Sequence, residues 1–210
     1  MVFLPLFPLN IVVFPQESLH LHIFESRYKQ LIQDCIEGEH SFGIPVYFDN
    51  KLREYGTEIH VDKIVNTYED GRMDIVVRGE RVFRVINWIN PIKNKLYAGG
   101  EVEFITLEED ASWPEREELL AVAEELFELL QLPEQELTNE SGFLSFRIAH
   151  FVGFSLQEEF QLLTYKSEHQ RIQVLLKHLS QTLPLIKEWE RVRAIAQMNG
   201  HFRHFDPLNF

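Results

Sequence analysis

EIHVDKIVNTYEDGRMDIVVRGERVFRVINWI, residues 58–89, decides how the first half of the chain folds. Asp70-Gly71 lies between two runs rich in β-branched residues, 58–69 and 73–78. An Asp-Gly pair in that setting is the strongest short-range signal of a β-hairpin, in the two-residue form that wants positive φ at both central positions. Residues 82–89 and 97–107 continue the extended pattern, and upstream residues 42–48 do the same. Leu19, Leu21 and Ile23 alternate with His20, His22 and Phe24, again at the period of a strand. One interruption is helical: Ser26 opens a short run in which Tyr28, Leu31, Ile32 and Cys35 share a face until Gly38 stops it. The expectation is a β-rich unit of about six strands with one inserted helix.

From Ser112 onward the period lengthens to that of a helix. Ser112 and Glu115 are spaced as a capping box, and Leu119, Leu120, Ala123, Leu126, Phe127 and Leu130 form one stripe before Pro133. Residues 143–154 are apolar on nearly every side, which predicts a helix central to a bundle. Ser155 with Glu158, and Ser167 with Gln170, repeat the cap spacing. The second pair opens a helix carrying Ile172, Leu175, Leu176 and Leu179, and a separate last helix is expected over 183–198, ending before Gly200. This gives an α+β fold in three parts: a β-rich unit over 1–110, a helical bundle over 111–200, and an aromatic tail over 201–210.

The charge of −13 is local. Residues 101–140 hold fourteen acidic side chains against one basic, Arg116, and the rest of the 210-residue chain is balanced. Glu117, Glu118, Glu124, Glu125 and Glu128 mostly avoid the leucine stripe, as a solvated helix face would. With no lysine or arginine stripe to neutralise phosphates, nucleic acid is disfavoured as a partner. The uncharged opening, residues 1–16, is broken by Pro5, Pro8 and Pro15, and no stretch reaches the ~18 apolar residues of a membrane helix, so the expected address is the cytoplasm, away from membranes.

Catalytic signatures are missing from the sequence. It has no G-x-x-x-x-G-K-[ST] loop, no G-x-S-x-G elbow, no H-E-x-x-H and no C-x-x-C. His20-x-His22 would share one face of a strand, and His201-x-x-His204 one helical turn, but rim histidines explain the first, and the expected stop at Gly200 undoes the second. Cys35, the only cysteine, falls on an apolar helix face with no base beside it and reads as inert core. No catalytic, cofactor or metal residues are assigned.

A family resemblance covers most of the chain. Leu4-Pro5-Leu6-Phe7-Pro8-Leu9, Val12-Val13-Phe14-Pro15 and Leu19-His20-Leu21-His22-Ile23-Phe24-Glu25-Ser26-Arg27-Tyr28 resemble the opening of the Lon protease N-terminal domain. Phe42-Gly43-Ile44, Tyr55-Gly56-Thr57-Glu58-Ile59, Asp70-Gly71-Arg72 and Gly79-Glu80-Arg81-Val82-Phe83-Arg84-Val85 resemble its later strands and hairpin, and the helical half is compatible but less diagnostic. Gln16 departs from it: the family usually has glycine after that proline, which leaves the turn there open. The resemblance implies an N-terminal PUA-like β-barrel followed by a C-terminal α-helical bundle. It further implies a free-standing substrate-recognition domain without the ATPase and peptidase modules of the full protease, and it supplies no catalytic residue.

The leading expectation is therefore a non-catalytic module that binds unfolded or partner polypeptides, a separate protease among the partners, through apolar and aromatic side chains in a groove. An RNA-binding PUA-like module and an enzyme with an unrecognised site are the alternatives. Trp88, Trp113, Phe202 and Phe205 are the candidate partner-binding residues, chosen because they fall near element ends or the junction. The tail has two open readings, folded back on the body or free to bind.

Overall fold

A computed structural model describes residues 1–132 and 142–201, with side chains described as far as 196. The fold is mixed α+β. Six strands, β1 (Val2–Leu6), β2 (Ser18–Ile23), β3 (Phe42–Phe48), β4 (Lys51–Thr67), β5 (Met73–Ile89) and β6 (Ala98–Phe104), form one sheet, with α1 (Ser26–Gly38) between β2 and β3. Four helices follow: α2 (Trp113–Leu129), α3 (Leu144–Ala149), α4 (Leu156–Thr164) and α5 (Glu168–His201). Strand order is β2-β5-β4-β3-β1-β6, and a further β5–β6 pairing returns the last strand to β5.

β5 makes that arrangement possible. Residues 73–78 and 82–89, two strands by sequence pattern, are one 17-residue strand. Its first half pairs with β2, from Met73↔Ile23 to Arg78↔Ser18, and its second half with β6, from Phe83↔Phe104 to Ile89↔Gly99. The changeover is at Gly79, where the chain after Phe14 crosses: Gln16 N–H donates to the Gly79 carbonyl at 2.8 Å, and Gly79 N–H to that of Glu17 at 2.9 Å. A Cβ on Gly79 would overlap the Phe14 carbonyl oxygen. Gln16 itself has φ 69°, so the left-handed backbone that glycine favours is kept without the glycine.

The hairpin between β4 and β5 differs from the two-residue form. Gly71 N–H donates to the Tyr68 carbonyl, Tyr68 N–H to that of Arg72, and of the two central residues only Gly71 has positive φ, at 77°. This is a three-residue loop ending in a left-handed glycine, and Asp70 accepts from Arg72 N–H instead of adopting positive φ. At the end of α1 the left-handed residue is Glu39 (φ 49°), one position after the expected glycine stop.

Three helical expectations are corrected. Residues 143–154 give only the short α3, after which the chain turns through Gly153 at φ 79°. The two last helices are one, because Leu183 and Ile186 both pack on the core and hold either side of Pro184 in register. Nor is Gly200 a stop; α5 runs to His201. The capping boxes at Ser112–Glu115 and Ser155–Glu158 form, and Ser167 Oγ accepts from Gln170 N–H. Glu117, Glu118, Glu124, Glu125 and Glu128 of α2 are exposed. Phe202, Phe205 and the rest of the tail after His201 lie outside the described residues.

Sheet and helices share one core, in which Val12, Phe14, Val46 and Val82 pack with Leu119, Leu126, Leu144, Phe146, Ile172 and Leu179. At its edge Arg171 and Glu168, both 0% exposed, form a 2.8 Å ion pair. Ser145 Oγ–H donates to Glu168, while Arg171 also donates to the carbonyls of Tyr165 and Lys166 and stacks against the Phe143 and Phe146 rings. A second tie is His150, which sits between Glu159 (2.7 Å) and Glu17 (3.1 Å) with Phe14 against its ring. Burial works to lower its pKa, but the two carboxylates outweigh that and raise it from 6.5 to about 9.

Three outcomes follow from this packing. Gly71→Val should lower the denaturation midpoint by about 1 kcal/mol or more of stability, through backbone strain alone, since a Cβ there meets nothing closer than Lys29 Nζ at 3.8 Å. Arg171→Leu should cost about 3–5 kcal/mol by leaving Glu168 buried without its partner, and adding Glu168→Gln should recover much of the loss in urea melts. The His150 clasp, with its pKa raised in the folded state, gives its full stabilisation below pH 6.5 and loses it as pH climbs through about 9. Urea midpoints should fall across that window, and His150→Gln should flatten the slope.

Candidate functional site

Trp88 lies near the end of β5, paired with Gly100 of β6. Part of its ring packs on the cluster of Leu4, Leu6, Phe83 and Val102. The remainder lines a cleft of about 510 Å³, together with Pro8, Arg27, Tyr28, Tyr47, Leu52 and Asn90. Each wall has a separate origin. Pro8 follows β1, Arg27 and Tyr28 come from the first turn of α1, and Tyr47 and Leu52 are opposite each other across the β3–β4 pair.

Tyr28 is held by stacking on Phe7, with centroids 3.7 Å apart, and burial pushes its hydroxyl pKa up. Arg27 lies 4.5 Å from the Tyr28 ring centroid and pairs with Glu25 at 2.8 Å. The lining is three aromatic rings, a proline and a leucine, with one guanidinium and one carboxamide for polar contact, and no carboxylate. Such a surface takes up an apolar side chain and orients its backbone with few hydrogen bonds.

A larger cleft, about 710 Å³, has a different character. Phe3, Leu4 and Pro5 form one wall and titratable groups the other. Most of those groups are committed to one another: Arg81 donates twice to Glu58 (2.6 and 3.0 Å), Ser41 donates to the same carboxylate at 2.7 Å, and Asp34 accepts from Lys95 and Tyr97. Burial raises the Glu58 pKa, but the bonds from Arg81 and Ser41 more than offset it and hold the carboxyl low. His60 and Glu80 bring ligand atoms within 4.8 Å of one on Glu58, a spacing that could suit a metal, yet Glu58 is turned to Arg81 and Ser41.

Of the four candidate residues, the structure places Trp88 on a cleft. Trp113 begins α2, 59% exposed, its Nε1–H donating to Glu117, and it does not line the Trp88 cleft. Phe202 and Phe205 lie outside the described residues. Arg27, Tyr28 and Tyr47 were not singled out for binding: Tyr28 read as core, and nothing in the spacing of the three places them beside Trp88. His22, on β2, is held at Nδ1 by Asp74 at 2.6 Å, and Cys35 is buried, its thiol pushed up to about 12 chiefly by that burial.

Residues 3–181 match the family model described as the ATP-dependent protease La (LON) substrate-binding domain. The chain belongs to that family. Among solved structures, a Lon N-terminal domain protein from Xanthomonas campestris is similar at a TM-score of 0.68 and 29% identity, over 84% of this chain and 98% of that one. The N-terminal domain of the Lon protease from the Mycobacterium avium complex matches at 0.65 and 15% identity, over 85% and 98%, which shows the shared fold. The Trp88 cleft and the sheet around it thus lie within the Lon-matched residues, and the second half of α5 lies beyond them. No helix among the described residues is long and apolar enough to cross a membrane.

Proposed function

We propose that this chain is a non-catalytic polypeptide-recognition module that seats an apolar side chain of an extended segment in the Trp88 cleft. One observation carries the reading: Trp88, Tyr28, Tyr47, Pro8 and Leu52 converge from different elements on a cleft of about 510 Å³ that no carboxylate lines. Membership of a family named for substrate binding supports it. Unfolded or partner polypeptides expose the side chains such a cleft accepts, and a separate protease is a fitting user of the captured chain. Trp113, exposed at the start of α2, is proposed as an outlying contact.

In this reading the strand circuit β5-β4-β3-β1-β6 is the PUA-like barrel, residues 1–110, and the helices of 111–200 buttress it. The charge of −13 opposes an RNA ligand. Cytoplasmic residence fits the lone buried thiol.

The test is fluorescence anisotropy with a labelled, permanently unfolded polypeptide. Trp88→Ala should weaken binding at least tenfold, in keeping with the ~2 kcal/mol or more of a buried aromatic hot spot. Tyr47→Ser, at a more exposed wall, should weaken it several-fold while the melting temperature stays close to that of the parent. Undiminished binding in both variants overturns the assignment of the cleft.

A further inference from the structure

The Trp88 cleft differs in charge from three other clefts of the molecule. The one of about 710 Å³ sets Asp34, Glu37 and Glu58 against Arg81 and Lys95, a groove between α4 and α5 sets Glu158 beside Lys177, and a third sets Glu17 and Glu159 about His150. Each of these holds its own counter-charges. The lining of the Trp88 cleft carries one formal charge, the Arg27 guanidinium, and no carboxylate. Cations near it in sequence are engaged elsewhere: Lys29 donates to the Asp70 carbonyl, and Arg53 lies on the Phe48 ring and pairs with Asp49. Arg27 is only partly engaged. Its Nε donates to Glu25 Oε2 at 2.9 Å and its Nη2 meets the same oxygen at 2.8 Å, while Nη1 makes no hydrogen bond among the described residues. The two side chains are 49% and 40% exposed, and an exposed pair of this kind exchanges partners at little cost. The guanidinium also rests against the Tyr28 ring, which holds it beside the apolar wall. So placed, it offers a carboxylate two parallel N–H bonds along the edge that Glu25 leaves open.

We infer that the Trp88 cleft selects polypeptide segments in which the apolar anchor is accompanied by an acidic residue, and that Arg27 is the group that reads it. The inference rests on the cleft assignment proposed above and adds a charge requirement to it. In an extended segment, residues two apart project to the same side at a spacing of about 6.6–6.8 Å. An acidic residue two positions from the anchor therefore shares the anchor's face and reaches toward the half-exposed Arg27. A lysine at that position would set a second cation against Arg27 beside apolar walls that screen it poorly. The selection thus works by repulsion of basic segments as well as by attraction of acidic ones.

Three labelled peptides, read by fluorescence anisotropy with the full chain, test this. They share one sequence with a single Phe anchor and an amidated end, and carry Glu, Gln or Lys two residues from the anchor. The expected order is Glu tightest, Gln several-fold weaker and Lys about tenfold or more weaker than Glu, with the spread narrowing as salt is raised. Arg27→Gln should close the spread to about twofold and Arg27→Glu should reverse the order, with circular dichroism and the melting temperature reporting an intact fold. Trp88→Ala should weaken all three peptides alike. Equal binding of the three by the parent chain overturns the inference. So does an order that Arg27→Glu leaves unchanged while binding still depends on Trp88, and in that case the cleft assignment stands. Binding indifferent to Trp88→Ala overturns both. A peptide that ends in Phe with a free carboxylate, bound more tightly than its amide while the flanking residue has no effect, would assign Arg27 to chain ends and overturn the inference equally.

Discussion

The close approach of the Phe14 carbonyl to Gly79 is the contact on which the two halves of this fold depend. With no Cβ on Gly79, the segment 12–17 can lie directly on β5 and exchange two backbone hydrogen bonds with it. The rest of that segment is fixed from both sides. Thr57 Oγ–H donates to the Val13 carbonyl, the Phe14 N–H to the Glu17 carboxylate, and the Phe14 ring stacks on Phe146 of α3 at 4.9 Å. The same Glu17 then meets His150. A loop that would otherwise wander over the sheet becomes the seat for the helices, and the shared core forms around it.

Placing that loop has an effect at the opposite end of β5. Because β5 serves β2 with one half and β6 with the other, its last residues are carried beyond β2, and Trp88 is left with a face not covered by a strand. Tyr28 reaches it from α1, which is anchored by Leu31, Ile32 and Cys35 in a cluster of its own with Ile23, Ile59 and Ile75. Two separately packed clusters thus supply the walls of the cleft. Its shape is set by well-packed elements, so in the proposed reading little ordering remains to be done on binding.

Much of this was legible in the residues and some was not. Alternation and turn chemistry located five of the six strands, β1 (Val2–Leu6) being hidden in a proline-broken opening, and two of the cap boxes formed as spaced. Joining residues 73–78 to 82–89 was not legible, because Gly79-Glu80-Arg81 reads as a break until the crossing segment is known. The form of the hairpin turned on Asp70, whose carboxylate finds the Arg72 N–H and favours the three-residue loop over the two-residue one. Pro184 reads as a helix end by every local rule, and only the burial of Leu183 with the packing of Ile186 overrides it. At the cleft, Trp88 was visible as an aromatic near a strand end. Its companions were not, since Pro8, Tyr28 and Tyr47 come together through strand order, which carries no signal in local spacing.

The glutamates of α2 give the molecule a property that no single contact describes. The acidic excess of the chain is confined to residues 101–140, while the other residues sum to zero, so the centres of positive and negative charge are displaced from one another. Such a body is a macroscopic dipole. Near a polyanion, whether a nucleic acid or an acidic membrane, it experiences a torque that turns the face of Glu117, Glu124 and Glu128 outward within the ~8 Å screening distance of physiological salt. Near a basic partner the torque reverses. The orientation of each encounter is thereby biased before any surface touches.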